Sequence, residues 1–195
     1  MTTNHRPLPA LALAAVLAAA LTSTAPASAE VVSSADHGFT SKNAVIVEAS
    51  AAEVYAALAE VDAWWHPSHT FSTDAANLSL EPRAQGCFCE KLPDGGSVRH
   101  MTVVAAMPGR MLRLLGGLGP LQGEAVNGTL TWEIGSEGEA TTITATYAVH
   151  GYADGGLGGW AGPVDGVIRQ QVERLGRYVD TGSAEAGEAA DDSGE

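Results

Sequence analysis

The stretch PVDGVIRQQVERLGRYV, residues 163–179, decides the architecture. Val164, Ile168, Val172, Leu175 and Val179 recur at steps of four and three, which places one apolar stripe along a helix of about five turns. Pro163 suits the first turn of that helix, where its missing amide hydrogen removes no bond. Such a stripe must be buried against something, and the residues before it supply a sheet. Leu130, Trp132 and Ile134 alternate with polar neighbours, as do Ile143, Ala145, Tyr147 and Val149, and a period of two marks strands. Further strands are predicted from Asn77 and over about 86–92, 98–105 and 111–115, joined by hairpin-length links. That pattern implies an antiparallel meander.

At the front, NAVIVE at Asn43–Glu48 reads as a strand. Ser50 and Glu53 then form an S-x-x-E capping box, and Val54, Leu58 and Val61 continue at helical spacing. Trp64 and Trp65 close that helix, and Pro67 breaks it.

The ends of the chain have other compositions. Arg6 precedes an apolar run from Leu8 to Leu21, and Ala27-Ser28-Ala29 has the small-x-small form of a signal-peptidase site. Residues 1–29 are expected to be a signal peptide cleaved after Ala29, which directs the chain to the periplasm or outside the cell. No cysteine follows that site, so no lipid anchor is expected. The apolar run is too short for a permanent span, and no later segment reaches the roughly 18 apolar residues of a membrane crossing. Residues 30–40 are expected as a flexible segment, 41–180 as one domain, and 181–195 as a disordered acidic tail without aromatic or branched aliphatic residues. The formal charge is −13. A chain that acidic is repelled by phosphate backbones and anionic lipid, which excludes nucleic acid as a partner and disfavours membrane surfaces.

Taken in order, VIVEASAAEVYAALAEVDAWW (45–65), QGCFCEKLPDGGSV (85–98), MPGRMLRLLGG (107–117) and VIRQQVERLGRYV (167–179) resemble the START-like, or SRPBCC, superfamily. That group includes polyketide cyclase/dehydratases, the birch-pollen allergens and chaperone activators. The resemblance covers roughly residues 41–179 and implies an α+β helix-grip fold, a curved antiparallel sheet wrapped around the long C-terminal helix. It also implies a cavity between sheet and helix for lipids, polyketides or other apolar molecules.

The only two cysteines flank Phe88 in GCFCEKLPDGG. Asp94-Gly95 is a hairpin signal that sets Glu90 opposite Arg99, Cys89 opposite His100, Phe88 opposite Met101 and Cys87 opposite Thr102. Same-face positions two apart on a flat strand hold β-carbons roughly 6–7 Å apart, too far for a disulfide. The cysteines are therefore expected to stay unbonded, with a bulge-assisted or intermolecular disulfide as one alternative. Another is a soft-metal site of Cys87, Cys89 and His100, which lacks an obvious fourth ligand.

The expected ligand-binding wall comprises Trp65, His69, Phe88, Glu90, Arg99, Met101, Trp132, Ala145 and Tyr147, with Glu90 and Arg99 at its polar mouth. His66, Glu90 and His100 are the candidates for proton transfer if the cavity is catalytic. The glycine runs GGLGPLQG and ADGGLGG lack the lysine of a phosphate loop and read as loops rimming the cavity. Neither a G-x-S-x-G elbow nor an H-E-x-x-H helix is present. The sequence thus predicts an exported carrier of a small hydrophobic molecule, needing no cofactor. A cyclase/dehydratase-like enzyme is the alternative, and a protein-interaction or metal-handling module using the cysteine face is a third.

Overall fold

A computed structural model describes residues 1, 28–138 and 140–186. Most of the expected signal peptide and residues 187–195 of the expected tail lie outside the described residues.

Eight strands make one antiparallel sheet: β1 (Ser28–Ala35), β2 (Gly38–Val47), β3 (Leu78–Leu80), β4 (Cys87–Lys91), β5 (Ser97–Met107), β6 (Met111–Leu115), β7 (Ala125–Glu137) and β8 (Ala140–Tyr152). Their spatial order is β1-β2-β8-β7-β6-β5-β4-β3. The meander β3 to β8 is consecutive, and β2 closes onto β8 from the other end of the sequence. Residues 30–40 are not the expected flexible segment. They belong to β1 and the start of β2, paired from Ser28–Ala44 to Ala35–Gly38. Val31, Val32 and Phe39 are set among polar and small residues without a regular period of two, so no apolar alternation announced them.

Between β2 and β3 run α1 (Ala51–Ala59) and the single turn α2 (Val61–Trp64). Ser50 is the N-cap of α1, and the reciprocal bonds with Glu53 are both present. The long α3 (Ala161–Thr181) packs across β1, β2 and β8 and against both shorter helices. Ile168, Val172 and Leu175 are buried, whereas Val164 and Val179 at the two ends of the stripe are only half-buried. Gly176 permits the close approach of α3 to β2, because a β-carbon there would stand 3.0 Å from a methyl of Val45. Nearer the start of α3, Asp165 accepts hydrogen bonds from Ser41 (2.7 Å) and Asn43 (3.0 Å) of β2. These bonds fix where the first turns of α3 sit on the sheet.

The chain after α3 is not free at its start. Ala184 is buried, its carbonyl accepts from Arg177 Nε (3.0 Å), and Glu185 pairs with the buried Arg174 at 2.8 Å. Residues 182–186 therefore fold back on the helix rather than belonging to a disordered tail.

The hairpin of β4 and β5 departs from the predicted register in one place. Asp94 and Gly95 both take positive φ, and the Pro93 carbonyl accepts from the Gly96 amide, as a primed two-residue turn requires. Cys87 faces Thr102 and Phe88 faces Met101, as expected, but a bulge follows: Cys89 faces Arg99 and Glu90 faces Val98. The extra residue on β5 is His100. With it, His100 and Met101 are buried in succession, which an unbroken strand cannot do.

The bulge corrects three expectations. Cys87 and Cys89 form a disulfide, their Cα atoms 5.4 Å apart instead of the roughly 6.6–6.8 Å of two residues along a flat strand. Glu90 and Arg99 do not pair, because Glu90 points inward and Arg99 is exposed. Nor does His100 share a face with the cysteines, which line the outer face while His100 lies inside. The disulfide and the opposed faces rule out the metal set Cys87, Cys89 and His100. Among the described residues no other group of three or more His, Cys, Asp and Glu could hold a metal ion.

Candidate functional site

A pocket of about 490 Å³ lies between the first half of α3 and the sheet. Val164, Val167 and Ile168 of α3 form one wall. Trp65, His69, Thr70 and Phe71, in the segment after α2, form the second, and Leu118, Gly119 and Pro120 cover it from the loop after β6. Trp160 and Pro163 close the end where α3 begins, and His100 of β5 supplies the polar group of the sheet side. The volume lies within the usual range for small-molecule sites.

Each element is placed by local chemistry. Pro67 ends the helical run, and a 3-10 turn follows over Pro67–His69, capped by His66, whose Nδ1 accepts from the Ser68 amide at 3.2 Å. Trp65 Nε1 donates to the His69 carbonyl (3.1 Å), which ties the ring to its own loop. His69 donates through Nε2 to Gln170 of α3 at 2.8 Å. The covering loop is held from beneath by Tyr147, whose hydroxyl accepts from the Leu118 amide (3.0 Å) and donates to the Gly116 carbonyl (3.2 Å). Burial pushes the Tyr147 phenol up to about 12, so it remains a donor at any ordinary pH.

The chemistry concentrates at Glu90 and His100. Glu90 is 1% exposed, and its carboxylate accepts from the Phe71 amide (3.0 Å), the Ser72 amide (2.5 Å) and His100 Nε2 (2.9 Å). Burial would raise its pKa; the bonds from Ser72, Phe71 and His100 outweigh that and hold it below the ordinary carboxylate range. For His100 burial dominates, and although Glu90 pulls the other way the imidazole is held below its ordinary value. At neutral pH the pair is therefore carboxylate and neutral imidazole. Because the carboxylate can only accept, Nε2 carries the proton and Nδ1 is left as a lone-pair acceptor. The ring lies between Phe88 and Phe71, with centroids 4.9 and 5.8 Å away, and Phe88 in turn meets Trp65 edge-on at 5.3 Å. A histidine fixed in tautomer by a buried carboxylate and in plane by two aromatic rings is preorganised to accept a proton or a hydrogen bond from a bound molecule.

Of the predicted wall, Trp65 and His69 line the pocket and Phe88 and Glu90 stand directly behind it. Met101, Trp132, Ala145 and Tyr147 do not line it: all four are at most 2% exposed, in the packed core between sheet and helix. Trp132 packs edge-on against Trp64 at 5.7 Å and lies opposite Ala145, so the space expected above Ala145 is filled. Arg99 lies on the outer face. His66 is also outside the pocket; burial, then Arg174 and His69, hold it below its ordinary value, and its ring serves as a cap. Sequence reasoning missed Phe71, Trp160 and Val167. Phe71 sits in a loop without periodicity, and Val167 lies one position off the stripe that was read as buried.

No known family profile matches the chain, and no curated protein matches it in sequence. Solved structures do resemble it. EF2215, a conserved protein of unknown function from Enterococcus faecalis, superposes with a TM-score of 0.54 at 12% identity, over 85% of this chain and 82% of its own. A protein from Arthrobacter aurescens gives 0.54 at 16% identity, over 82% and 98%. CalU16 from Micromonospora echinospora gives 0.50 at 13% identity, over 78% and 83%. At these identities the likeness is one of fold alone: an α+β chain with an antiparallel sheet and a long C-terminal helix.

Proposed function

We propose that this chain is an exported binding protein of the helix-grip type, which holds a small hydrophobic, polyketide-like or lipid-like molecule between α3 and the sheet. The observation that carries the reading is the pocket itself, walled by Trp65, Phe71, Leu118, Trp160, Val164, Val167 and Ile168, with a few polar groups among which His100 is held by the buried Glu90. The apolar walls supply affinity, and His100 selects a ligand with a hydroxyl or other donor facing Nδ1. Retention by burial needs no metal or cofactor. Export rests on the signal-like leader; cleavage after Ala29 would start the mature chain at Glu30, inside β1, leaving the pairs from Glu30–Lys42 onward.

The test is a titration with Nile red as an apolar probe, beside Val167→Trp. The new ring points into free volume, so it should weaken dye binding by roughly tenfold or more while moving the melting temperature little. Wild-type protein that binds no dye, or a variant that binds as well as wild type, would refute the pocket as a ligand site.

The Glu90–His100 pair favours a second reading, a cyclase/dehydratase-like enzyme in which His100 Nδ1 takes a proton from the bound molecule and Glu90 stabilises the imidazolium that results. The two readings separate in His100→Gln, which abolishes turnover in the enzyme and only trims affinity in the carrier.

A further inference from the structure

We propose that the Cys87–Cys89 disulfide is a thiol-exchange site, in which an external thiolate attacks Cys87 and Cys89 departs as a charge-stabilised thiolate. The site lies on the opposite face of the sheet from the pocket, and it stands whether or not the pocket holds a ligand. Both cysteines are half-exposed on the outer face of β4, whereas Phe88 and Glu90 alternate inward. The bulge after Phe88 that brings His100 inside also resets the outer neighbours. Arg99 becomes the direct partner of Cys89 across β5, at the roughly 4.5–5.5 Å β-carbon spacing of such pairs. Lys91, one of only two lysines in the chain, follows on the same face two residues along. Cys87 has no such company: it faces Thr102 on β5, and on its other side its carbonyl bonds the amide of Glu81, whose carboxylate is paired with Arg83 at 2.7 Å.

In a chain with 23 acidic residues against 10 lysines and arginines, two cations that form no salt bridge among the described residues, both placed on the Cys89 side of the pair, give the disulfide a direction. A thiolate beside cations is stabilised and leaves faster. In the first step the external thiolate forms a bond to Cys87 Sγ, the Sγ–Sγ bond breaks, and its electron pair goes to Cys89. In the second, another thiolate of the same kind attacks the external sulfur of the mixed disulfide and releases Cys87 as thiolate. Two external thiols are thereby joined as a disulfide, and two electrons and two protons pass to the cysteines. A disulfide-bearing oxidant of the cell exterior closes the pair again. Because only Phe88 separates the cysteines, Cys89 can also return to Cys87 and expel the attacking thiol, which suits exchange with a protein cysteine as well as with a small thiol.

Reduced glutathione serves as the probe, with the full chain in its folded state, acid quenching, alkylation and peptide mass analysis. Glutathione should appear on Cys87, with Cys89 alkylated. Arg99→Gln and Lys91→Gln should each slow opening by roughly three- to tenfold. Arg83→Gln, which removes an exposed cation of the same region but not one facing Cys89, should leave the rate unchanged. Both test residues are exposed, and far-ultraviolet circular dichroism checks that the variants fold. Cysteines that stay free in the presence of oxidised glutathione, a disulfide that opens only on unfolding, glutathione on Cys89, or an opening rate indifferent to both charge removals would each overturn the proposal.

Discussion

Carboxylates are seldom buried without partners, and Glu90 has three: two consecutive amides, Phe71 and Ser72, and the imidazole of His100. Glu90→Ala would orphan all three donors at once and should cost about 3 kcal/mol or more in chemical denaturation, since bonds to a charged group are worth about 1.5–3 kcal/mol each. Glu90→Gln keeps an acceptor and should cost less. The pair also imposes a pH dependence with a definite sign. Folded His100 is held below its ordinary 6.5, so below that pH the unfolded chain takes up more protons than the folded one. Stability is full above 6.5 and is lost as pH falls toward the folded value, with His66 adding in the same direction. Glu90, held below 4.5, adds a second loss at lower pH. Denaturation from pH 7 to 5 should show this decline, and a smaller one in His100→Gln, whose amide still donates to Glu90. An unchanged slope would mean that His100 is not the titrating group.

The elements differ in how far local chemistry decides them. Capping is local: Ser50→Ala removes the acceptor for the Glu53 amide and should lower stability by about 1 kcal/mol without touching dye binding. The loop after β6 is not local. Gly116 has φ of 154°, and a β-carbon there would collide with the His100 carbonyl and stand 3.0 Å from Met101 Cα. Gly116→Ala should therefore cost about 2 kcal/mol or more, and because the same loop carries Leu118 and Pro120 it should weaken probe binding as well. Probe affinity equal to wild type in that variant would show that the covering loop contributes nothing to the pocket.

For the molecule as a whole, the decisive fact is where its free volume lies. The middle of the sheet is filled by Trp132, Tyr147, Trp64 and Ile143 against α3, and the pocket is displaced toward the start of the helix, where Val164 and Val167 face loops instead of strands. Ala145→Trp consequently inserts a ring into a packed core and should cost about 1–3 kcal/mol or more. Val167→Trp, of equal bulk at its tip, fills space already empty. Comparing the melting temperatures of the two variants places the cavity without any knowledge of its ligand.

Periodicity alone determined the larger part of this fold. The stripe of α3, the alternation in β7 and β8, the capping box at Ser50 and the Asp94-Gly95 turn each express a local rule, and each element is found within a few residues of where the sequence places it. The signals failed where a position is settled by what lies across from it. Nothing in GCFCEKLPDGGSVRHM marks the extra residue of the bulge, because a flat hairpin satisfies the same turn and the same alternation. Only the assembled sheet makes both His100 and Met101 buried, and that choice joins His100 to Glu90, sets Arg99 opposite Cys89 and draws the two cysteines close enough to bond. The cavity was likewise beyond the sequence, since volume depends on how side chains from distant segments interlock. Large and small residues such as Trp132 and Ala145 are compatible with a void or with a filled core, and packing across β7 and β8 decided for the filled core.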